Sequence, residues 1–391
     1  MDNHDIKKDE LLFFAQNLLG GAPNFCYNLL QGDREGYFDK KTILIDCKES
    51  VFTRRFTPWD VSEHTVFGFA NMEIVYDVSK RLSKLISNLE GVVVTSFVEE
   101  LRTLDIFRRP AKTIFFVAHD GGYVRLAVKY EFLIDVFIAH NICIYDELVA
   151  AMPNRKADIF FLPYGIKLST LKRKPNLDKP LKILFLARFD VKKGIHDLFE
   201  MDRLLKEKNI VVEWTLIGDG PEKERVLALV KASTNFTAYR VDDNNELFNH
   251  ICRHDIFILP SRLDGVPVSL LETMSCGLVP VLSEFNTGII KVVPPEVGFV
   301  LPVGDNQIFV DTIAALNNDR GRLEQLSANA AEHTQAHYDV NKTSVAYYEL
   351  FKNHRSHRRE KQKSPIKHRK LLDILGVSKQ VRSKIKTMLS Q

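Results

Sequence analysis

The sequence predicts an α/β protein in which two parallel-sheet domains follow one another along the chain. Short apolar runs recur between stretches of helical periodicity, and this is the pattern of parallel βαβ units. The pattern stops over residues 168–180, where two prolines and four cations interrupt the apolar runs, and it then starts again. A chain of 391 residues is long enough to give each domain its own core.

Apolar runs without polar alternation predict strands that are buried on both faces. We expect domains over residues 1–170 and 181–351, a linker over 171–180 and a basic tail over 352–391. The strands of the first domain are predicted at residues 11–17, 41–47, 92–96, 112–119, 135–140 and 159–165, and those of the second at 182–188, 212–218, 255–261 and 278–284. No short period repeats along the chain, which excludes a solenoid.

Composition narrows the class of protein further. Apolar residues make up 45% of the chain and charged residues 27%, which excludes a mostly disordered or collagen-like chain. The sequence contains no run of about 18 uncharged apolar residues, and its start lacks the order of a secretion signal. The five cysteines are scattered without a CxxC pair, so we expect reduced thiols and no zinc site. These features predict a cytoplasmic protein.

Net charge is divided unevenly between the tail and the rest of the chain. Residues 352–391 contain thirteen Lys and Arg against two acidic residues, a balance of +11, so the first 351 residues carry −7. A mildly acidic body argues against nucleic acid as a partner. Residues 354–370 are expected to be flexible because few of their side chains are apolar.

The last segment of the tail has an amphipathic pattern. Apolar residues between Leu371 and Leu389 fall on one helical face, with Lys and Arg on the other. The pattern predicts either peripheral attachment to an anionic membrane surface at the inner face of a membrane or binding of a partner protein. A solvated tail is the alternative, and the helix-breaking Gly376 favours it.

Two glycine-rich turns follow predicted strands. Gly20 and Gly21 precede an apolar-periodic helix, where the exposed N–H groups of a helix start favour an anion, although a tight turn explains the same residues. The turn from Gly218 to Pro221 begins like a dinucleotide fingerprint, but Lys223 stands in the place of the third glycine. We therefore exclude NAD and FAD as cofactors.

Two cations follow the first strand of the second domain. Arg188 and Lys193 lie five residues apart around a strand-to-loop turn, and ligands of open parallel sheets bind at the carboxyl ends of strands. A guanidinium that forks two oxygens beside a mobile ammonium suits a diphosphate. A solvated basic loop is the alternative, because Lys192 lies there too.

The segment 255–284 is the most informative part of the sequence. A buried strand leads into a loop with Asp264, Gly265 and Val266, and a helix begins near Pro267 and carries Glu272. The backbone N–H groups of this loop suit phosphate or sugar oxygens. Glu272 has apolar neighbours, where an unpaired carboxylate is costly unless ribose hydroxyls donate to it. A glutamate at the solvent boundary is the alternative.

This segment resembles the signature of the family 4 glycosyltransferases of the GT-B class. In that signature Glu-x7-Glu follows Pro-Ser and precedes a Met-x-Cys-Gly-x-Pro-Val run, and this chain has Asp264 and Glu272 in the two acidic places. Further pieces follow the order of the family over about residues 10 to 350. They are Gly20-Gly21, His119-Asp120, Pro163-Tyr164-Gly165-Ile166, Arg188 with Lys193, Gly218-Asp219-Gly220-Pro221, Val297-Gly298-Phe299 and Gly304-Asp305.

The resemblance implies two Rossmann-like domains facing across a cleft, and a retaining transfer of a sugar from a nucleotide donor without metal or other cofactor. Arg188 and Lys193 match the basic pair that neutralises the leaving diphosphate, the role of Mg²⁺ in other enzymes. Glu272 matches the carboxylate on the donor ribose. Asp264 stands near the donor sugar and its phosphate, and His119 lines the sugar pocket near the reaction centre.

The site residues that follow from the motifs and the resemblance fall into two groups. The catalytic residues are expected to be His119, Asp264, Arg188 and Lys193. The residues that bind the donor are expected to be Gly20, Gly21, Arg188, Lys193, Gly265, Val266, Pro267 and Glu272.

The resemblance also implies the partners, and it leaves alternatives. A UDP-sugar is favoured over a GDP-sugar as donor, and the acceptor is a glycan or a protein-linked or lipid-linked glycoconjugate. Asp264 is one methylene shorter than the usual glutamate, so the contact with the donor sugar is expected to shift or to use a water. The alternatives are a GT-B-shaped epimerase or phosphorylase, the latter without its pyridoxal-lysine signature here, and a non-catalytic nucleotide-sugar-binding subunit.

Overall fold

The chain divides into two compact units. The first unit ends at Leu162 and is completed by the chain from Ser344 on, and the second runs from Pro163 to Thr343. The first boundary lies ahead of the linker that we expected, and the end of the expected second domain belongs to the first unit. The computed structural model describes residues 8–17, 21–33, 35–47, 62–71, 73–119, 121–174, 180–241 and 243–366.

The first unit is a parallel sheet with helices between its strands. In the described part of the chain its strands are β1 Glu10–Gln16, β2 Asp39–Cys47, β3 Glu63–Phe69, β4 Gly91–Thr95, β5 Lys112–Ala118, β6 Val136–Ala139 and β7 Ile159–Phe161. The helices are α1 Gly21–Gln31, α2 Val75–Ser83, α3 Val98–Ile106, α4 Gly121–Lys129 and α5 Ile142–Ala151, with a 3-10 helix over Pro153–Asp158. Every residue of β4, β5 and β6 is buried, as expected for central strands covered on both faces.

The second unit repeats this architecture. Its described strands are β8 Leu181–Leu186, β9 Val212–Ile217, β10 Phe236–Tyr239, β11 Ile256–Leu259, β12 Val279–Ser283 and β13 Phe299–Leu301. A 3-10 helix spans Val191–Lys193, and the helices are α6 Asp197–Glu207, α7 Lys223–Lys231, α8 Asn244–Ile251, α9 Val268–Ser275, α10 Ile289–Val292, α11 Asn306–Asn318 and α12 Arg320–His337. The chain continues through α13 Val340–Lys352 and α14 His354–His357.

Strand order locates a binding edge in each sheet. The first sheet has the order β3-β2-β1-β4-β5-β6-β7 and the second the order β10-β9-β8-β11-β12-β13, and the strand pairs are parallel. The order reverses between β1 and β4 in one sheet and between β8 and β11 in the other. Ligands of such sheets bind outside the carboxyl ends of the strands at this switch point. The α/β class and the two Rossmann-like sheets are thus confirmed.

The strands that the sequence prediction missed lie at sheet edges. All ten predicted strands are present, whereas β3, β10 and β13 were not expected. An edge strand needs fewer apolar residues, and the first four residues of β3 are exposed. A search for continuous apolar runs therefore finds the central strands first.

The expectation of a flexible segment over 354–370 is wrong for residues 354–366, which pack on the first unit. The His354 side chain is fully buried, and the Ile366 side chain packs against the core of this unit. Apolar content alone misjudged the segment because its polar side chains find acidic partners. These contacts are His354 with Asp9, Arg358 with Glu90, Lys361 with Asp135, and Ser364 with Asp105.

The predicted amphipathic helix between Leu371 and Leu389 lies outside the described residues. Among the helices that the structure does describe, none combines the length and the apolar character needed to cross a membrane.

Candidate functional site

The loop after β8 carries both predicted cations at the switch point of the second sheet. Arg188 donates a hydrogen bond from its guanidinium to the carboxylate of Asp190 at 2.9 Å. Asp190 also accepts from the N–H of Lys192 at 2.9 Å and so begins the 3-10 helix that ends at Lys193. The sequence folds this way locally because an aspartate at the start of a helical turn satisfies an N–H group that has no partner within the turn.

This loop lies directly over the end of β11. Gly194 has a φ of 72°, and a Cβ on it would lie 2.2 Å from the carbonyl oxygen of Pro260, so only glycine fits. The Arg262 N–H donates to the Lys192 carbonyl at 2.8 Å, and the Arg262 guanidinium makes two hydrogen bonds with Asp197. The loops after the two strands that flank the switch point are therefore tied together.

Asp264 is the acidic group that pairs with Lys193. One of its carboxylate oxygens pairs with the Lys193 ammonium, and the other accepts from the N–H of Gly265 at 3.0 Å. Both side chains of the ion pair are mostly buried, with 19% of Lys193 and 15% of Asp264 exposed. The structure thus brings together Lys193, Asp264 and Gly265. The Asp264 carboxylate binds the Lys193 ammonium and the Gly265 N–H, and both of these groups could instead bind an external anion.

The loop after β12 contacts the loop that carries Asp264 and Gly265. The side-chain amide of Asn286 donates to the carbonyl oxygens of Asp264 and Gly265, each at 3.1 Å. Its oxygen accepts from the Gly288 N–H at 2.9 Å. The sequence analysis did not single out Asn286, and its position after a buried strand of the same sheet was the one signal that could have identified it.

Glu272 lies on α9, which begins after Pro267 as predicted. The residues around it on the helix, Leu270, Leu271 and Met274, are fully buried, whereas Glu272 itself is partly exposed. Burial raises the pKa of Glu272 to about 7. Within the described residues its carboxylate makes no hydrogen bond, so the group is available to a ligand.

The loop after β9 packs against Arg188. A Cβ on Gly220 would lie 2.5 Å from the Phe189 carbonyl oxygen and 2.9 Å from Cγ of Arg188, so glycine allows the two loops to approach. His196 and Glu222 bridge the same two loops with a contact of 2.7 Å between Nε2 and Oε2. The turn from Gly218 to Pro221 therefore supports the cation-bearing loop and has no dinucleotide fingerprint.

His119 lies in the first unit, directly after β5. Its Nε2 is 3.1 Å from the hydroxyl oxygen of Ser96, which follows β4. The rings of His140, Tyr123 and Phe25 surround it, with centroids 5.0, 5.4 and 5.8 Å from that of His119. Burial, with a further contribution from His140, holds the pKa of His119 well below its usual value. The imidazole is therefore neutral at physiological pH.

His140 and Ser96 are the neighbours of His119 that the sequence analysis did not identify. Burial lowers the pKa of His140 to about 3, so the two adjacent rings are both uncharged at neutral pH. Ser96 is held by its backbone, because its N–H donates to the Glu100 carboxyl at 2.9 Å. The His140 side chain is itself buried.

The remaining predicted site residues that the structure describes lie at the starts of two helices. Gly21 begins α1, and Phe25 of that helix contacts the His119 ring. Gly20 lies outside the described residues. Val266 is buried, and Pro267 has the extended conformation of a residue that precedes a helix.

No metal ligand set emerges from the part of the chain that the structure describes. Groups of three or more His, Cys, Asp or Glu side chains that could hold a metal ion are absent among those residues. Within the described residues the five cysteines are present as thiols rather than in disulfides.

The second half of the chain is similar to a known family of enzymes. Residues 169–333 match the family described as glycosyl transferases group 1. This segment includes the loops after β8, β9, β11 and β12 that form the site. In this half the chain is therefore similar to the group 1 glycosyltransferases, and the finer assignment to family 4 stays a prediction.

Curated relatives of the chain are named as glycosyltransferases. The chain is 26% identical over 275 residues to the amylovoran biosynthesis glycosyltransferase AmsK of Erwinia amylovora, and the match covers 65% of this chain and 66% of AmsK. It is 28% identical over 183 residues to the putative colanic acid biosynthesis glycosyltransferase WcaL of Escherichia coli, with 42% and 43% of the two chains covered. The chain thus spans between about two fifths and two thirds of the length of these relatives.

Solved structures share the two-sheet fold at low sequence identity. The Anabaena protein Alr3699/HepE, solved in complex with UDP and glucose, has a TM-score of 0.69 at 15% identity, with 88% of this chain and 99% of that chain covered. The sucrose-phosphate synthase of Thermosynechococcus elongatus has a TM-score of 0.71 at 14% identity, with 90% and 100% covered. These likenesses confirm the GT-B fold, whereas the cleft between its domains stays a prediction.

Proposed function

We propose that the protein transfers a sugar from a nucleoside diphosphate sugar, with a UDP-sugar favoured, to a glycan acceptor. The proposal includes retention of the anomeric configuration and independence from metal ions and other cofactors. The observation that carries it is the arrangement at the switch point of the second sheet. There Arg188 and Lys193 follow β8, and the loop with Asp264 and Gly265 follows the adjacent β11.

The two cations account for stabilisation of the leaving group. Transfer breaks the bond between the anomeric carbon and the phosphate oxygen and leaves negative charge on the departing diphosphate. The Arg188 guanidinium can fork two phosphate oxygens, and the Lys193 ammonium adds a point charge. Since this charge grows as the bond breaks, the contacts are strongest in the transition state and lower the barrier. The acceptor hydroxyl forms the new glycosidic bond, and its proton passes to the leaving phosphate.

Glu272 is the residue that we assign to the ribose of the donor. The Glu272 carboxylate has no hydrogen-bond partner in the part of the chain that the structure describes, and it lies on a helix that begins at the site. It can therefore accept hydrogen bonds from the two hydroxyls of a ribose. A ribose that donates in this way stabilises the charged form of a group whose pKa is raised to about 7 in the free protein.

The proposed role of His119 is limited by its charge state. A neutral imidazole can hold a sugar hydroxyl through a hydrogen bond, but it cannot stabilise a developing anion as a cation would. We therefore assign His119 to orientation of the transferred sugar, in line with the resemblance.

Relatives support the proposed class of acceptor. AmsK is named for amylovoran biosynthesis, and a Campylobacter jejuni relative that is 26% identical over 176 residues is named as an N-acetylgalactosaminyltransferase acting on a diphospho-undecaprenol. That match covers 45% of this chain and 46% of the relative. We propose a glycan or lipid-linked acceptor used in polysaccharide biosynthesis, and cytoplasmic work at the inner face of a membrane. The basic tail supplies the affinity for anionic lipid.

Donor turnover by the purified full chain tests the proposal. The protein is incubated with UDP-, GDP- and ADP-sugars, release of the nucleoside diphosphate is measured, and ligand binding is followed by thermal shift. We expect release from at least one UDP-sugar, unchanged in EDTA. Binding without release would favour a nucleotide-sugar-binding subunit. Complete inhibition by EDTA that Mg²⁺ or Mn²⁺ reverses would contradict the metal-free mechanism.

A further inference from the structure

The Asn286 side chain makes three hydrogen bonds to the backbone, two of them to the loop that precedes α9. Its NH₂ group donates to the carbonyl oxygens of Asp264 and Gly265, and its oxygen accepts from the Gly288 N–H. The flipped amide would place oxygen against two carbonyl oxygens and NH₂ against an N–H. The orientation of the amide is therefore fixed by its partners.

These contacts determine where two backbone N–H groups point. The Asp264 carbonyl shares a planar trans peptide with the Gly265 N–H, and the Gly265 carbonyl shares the next peptide with the Val266 N–H. In a trans peptide the C=O and N–H bonds point in opposite directions. Because Asn286 holds both carbonyls towards itself, both N–H groups point away from Asn286. The Gly265 N–H accordingly reaches the Asp264 carboxylate, which also pairs with Lys193.

We propose that Asn286 is a positioning residue that aims the N–H groups of Gly265 and Val266 at the phosphates of the nucleotide donor. The inference rests on the proposed function, because it takes the anion of this loop to be the donor diphosphate. Asn286 itself does not touch the donor. Asn286 affects binding only through the two peptide groups. Its loss should therefore weaken the binding of ligands that carry phosphate and leave the contacts with the nucleoside unchanged.

The test compares two ligands with three variants of the full chain. Asn286→Asp keeps the size of the side chain and an acceptor for the Gly288 N–H, but it places a carboxylate oxygen against two carbonyl oxygens. Asn286→Ala removes all three contacts. Asn329→Ala is the matched control, because Asn329 also donates from its side chain to a backbone carbonyl, that of Glu296, on another part of the same unit. Affinities for UDP and for uridine are measured by competition against a bound UDP-sugar.

We expect Asn286→Asp and Asn286→Ala to weaken UDP binding by about 10- to 100-fold, because two misdirected donors each lose a charge-assisted hydrogen bond. Uridine affinity of both Asn286 variants should stay within the range of the Asn329→Ala control, and thermal unfolding should show that both variants are folded at the temperature of the assay. Equal losses for UDP and uridine, or no loss for UDP, would overturn the inference. A wild-type protein that neither binds nor turns over a nucleotide sugar would instead overturn the proposed function, on which the inference rests.

Discussion

Replacement of Asp264 by asparagine should tighten the binding of UDP while it slows sugar transfer. In the free protein the Asp264 carboxylate occupies the Lys193 ammonium and the Gly265 N–H, which are two of the donors that the proposal assigns to the diphosphate. A diphosphate must displace this carboxylate and then lie near its charge. The substitution Asp264→Asn keeps the size of the side chain and an oxygen for the Gly265 N–H, but it leaves Lys193 without its charged partner.

The size of the effect follows from the burial of the pair. With 19% of Lys193 and 15% of Asp264 exposed, the environment lies between bulk water and the deep interior. One unit charge removed from near a diphosphate in such surroundings is worth about 1–3 kcal/mol, or about 5- to 150-fold in the UDP dissociation constant. Transfer should still slow by about 10-fold or more, because the carboxylate near the donor sugar is lost.

Calorimetric titration with UDP at low and at high salt measures the effect. The gain in affinity should shrink as salt screens the charges. Asp197→Asn is the matched control, since it removes a carboxylate that pairs with Arg262 on the same pair of loops and no contact with the diphosphate is assigned to it. If Asp264→Asn binds UDP no more tightly than wild type while the control is also unchanged, Asp264 does not compete with the diphosphate and the reasoning is refuted.

Three further predictions follow from the proposed site and from the tail. Arg188→Ala or Lys193→Ala should lower turnover by about 10²–10³-fold through loss of about 2–4 kcal/mol of transition-state stabilisation. Arg225→Ala, which removes an exposed cation, is the control and should leave turnover unchanged. Wild-type rates in soluble Arg188 and Lys193 variants would show that these two residues do not bind the diphosphate. UDP affinity of the wild type should rise about 10-fold from pH 6 to pH 8 as Glu272 loses its proton. Glu272→Gln should abolish this rise, and an equal rise in the variant would show that another group causes the pH dependence. Truncation after Ile366 should keep the fold and donor turnover but abolish low-salt sedimentation with phosphatidylserine vesicles; full-length protein that stays in the supernatant would exclude a membrane anchor.

The limits of sequence reasoning are clear from the end of the first unit. Continuous apolar runs identified central strands such as β5 and β11 because burial on both faces leaves a direct trace in the sequence. The return of the chain at Ser344 left no such trace, since residues 354–366 are held by polar contacts with partners more than 200 residues away. Composition reports apolar content but cannot report which distant carboxylate a basic side chain meets.

The position of the site in the fold was predictable, because it follows from the order of the strands along the chain and in the sheet. Arg188, Lys193, Asp264 and Glu272 follow strands whose carboxyl ends share one edge, so a correct strand order places them at that edge. The contacts within the site were not predictable. The pairing of Lys193 with Asp264 and the amide of Asn286 depend on side-chain directions in loops that periodicity does not describe.

Glu272 illustrates why a binding residue can look unfavourable in the free protein. Burial raises its pKa from 4.5 to about 7, so between these values the folded chain holds a proton that the unfolded chain has lost. The contribution of this group to stability is therefore complete below about pH 4.5 and is lost as pH rises through about 7, at a cost of up to about 3 kcal/mol. A structural carboxylate would have gained a partner that removes this cost. Ribose hydroxyls that donate to Glu272 would remove it only in the complex, so part of the binding free energy of the nucleotide is relief of a strain that the fold maintains without it.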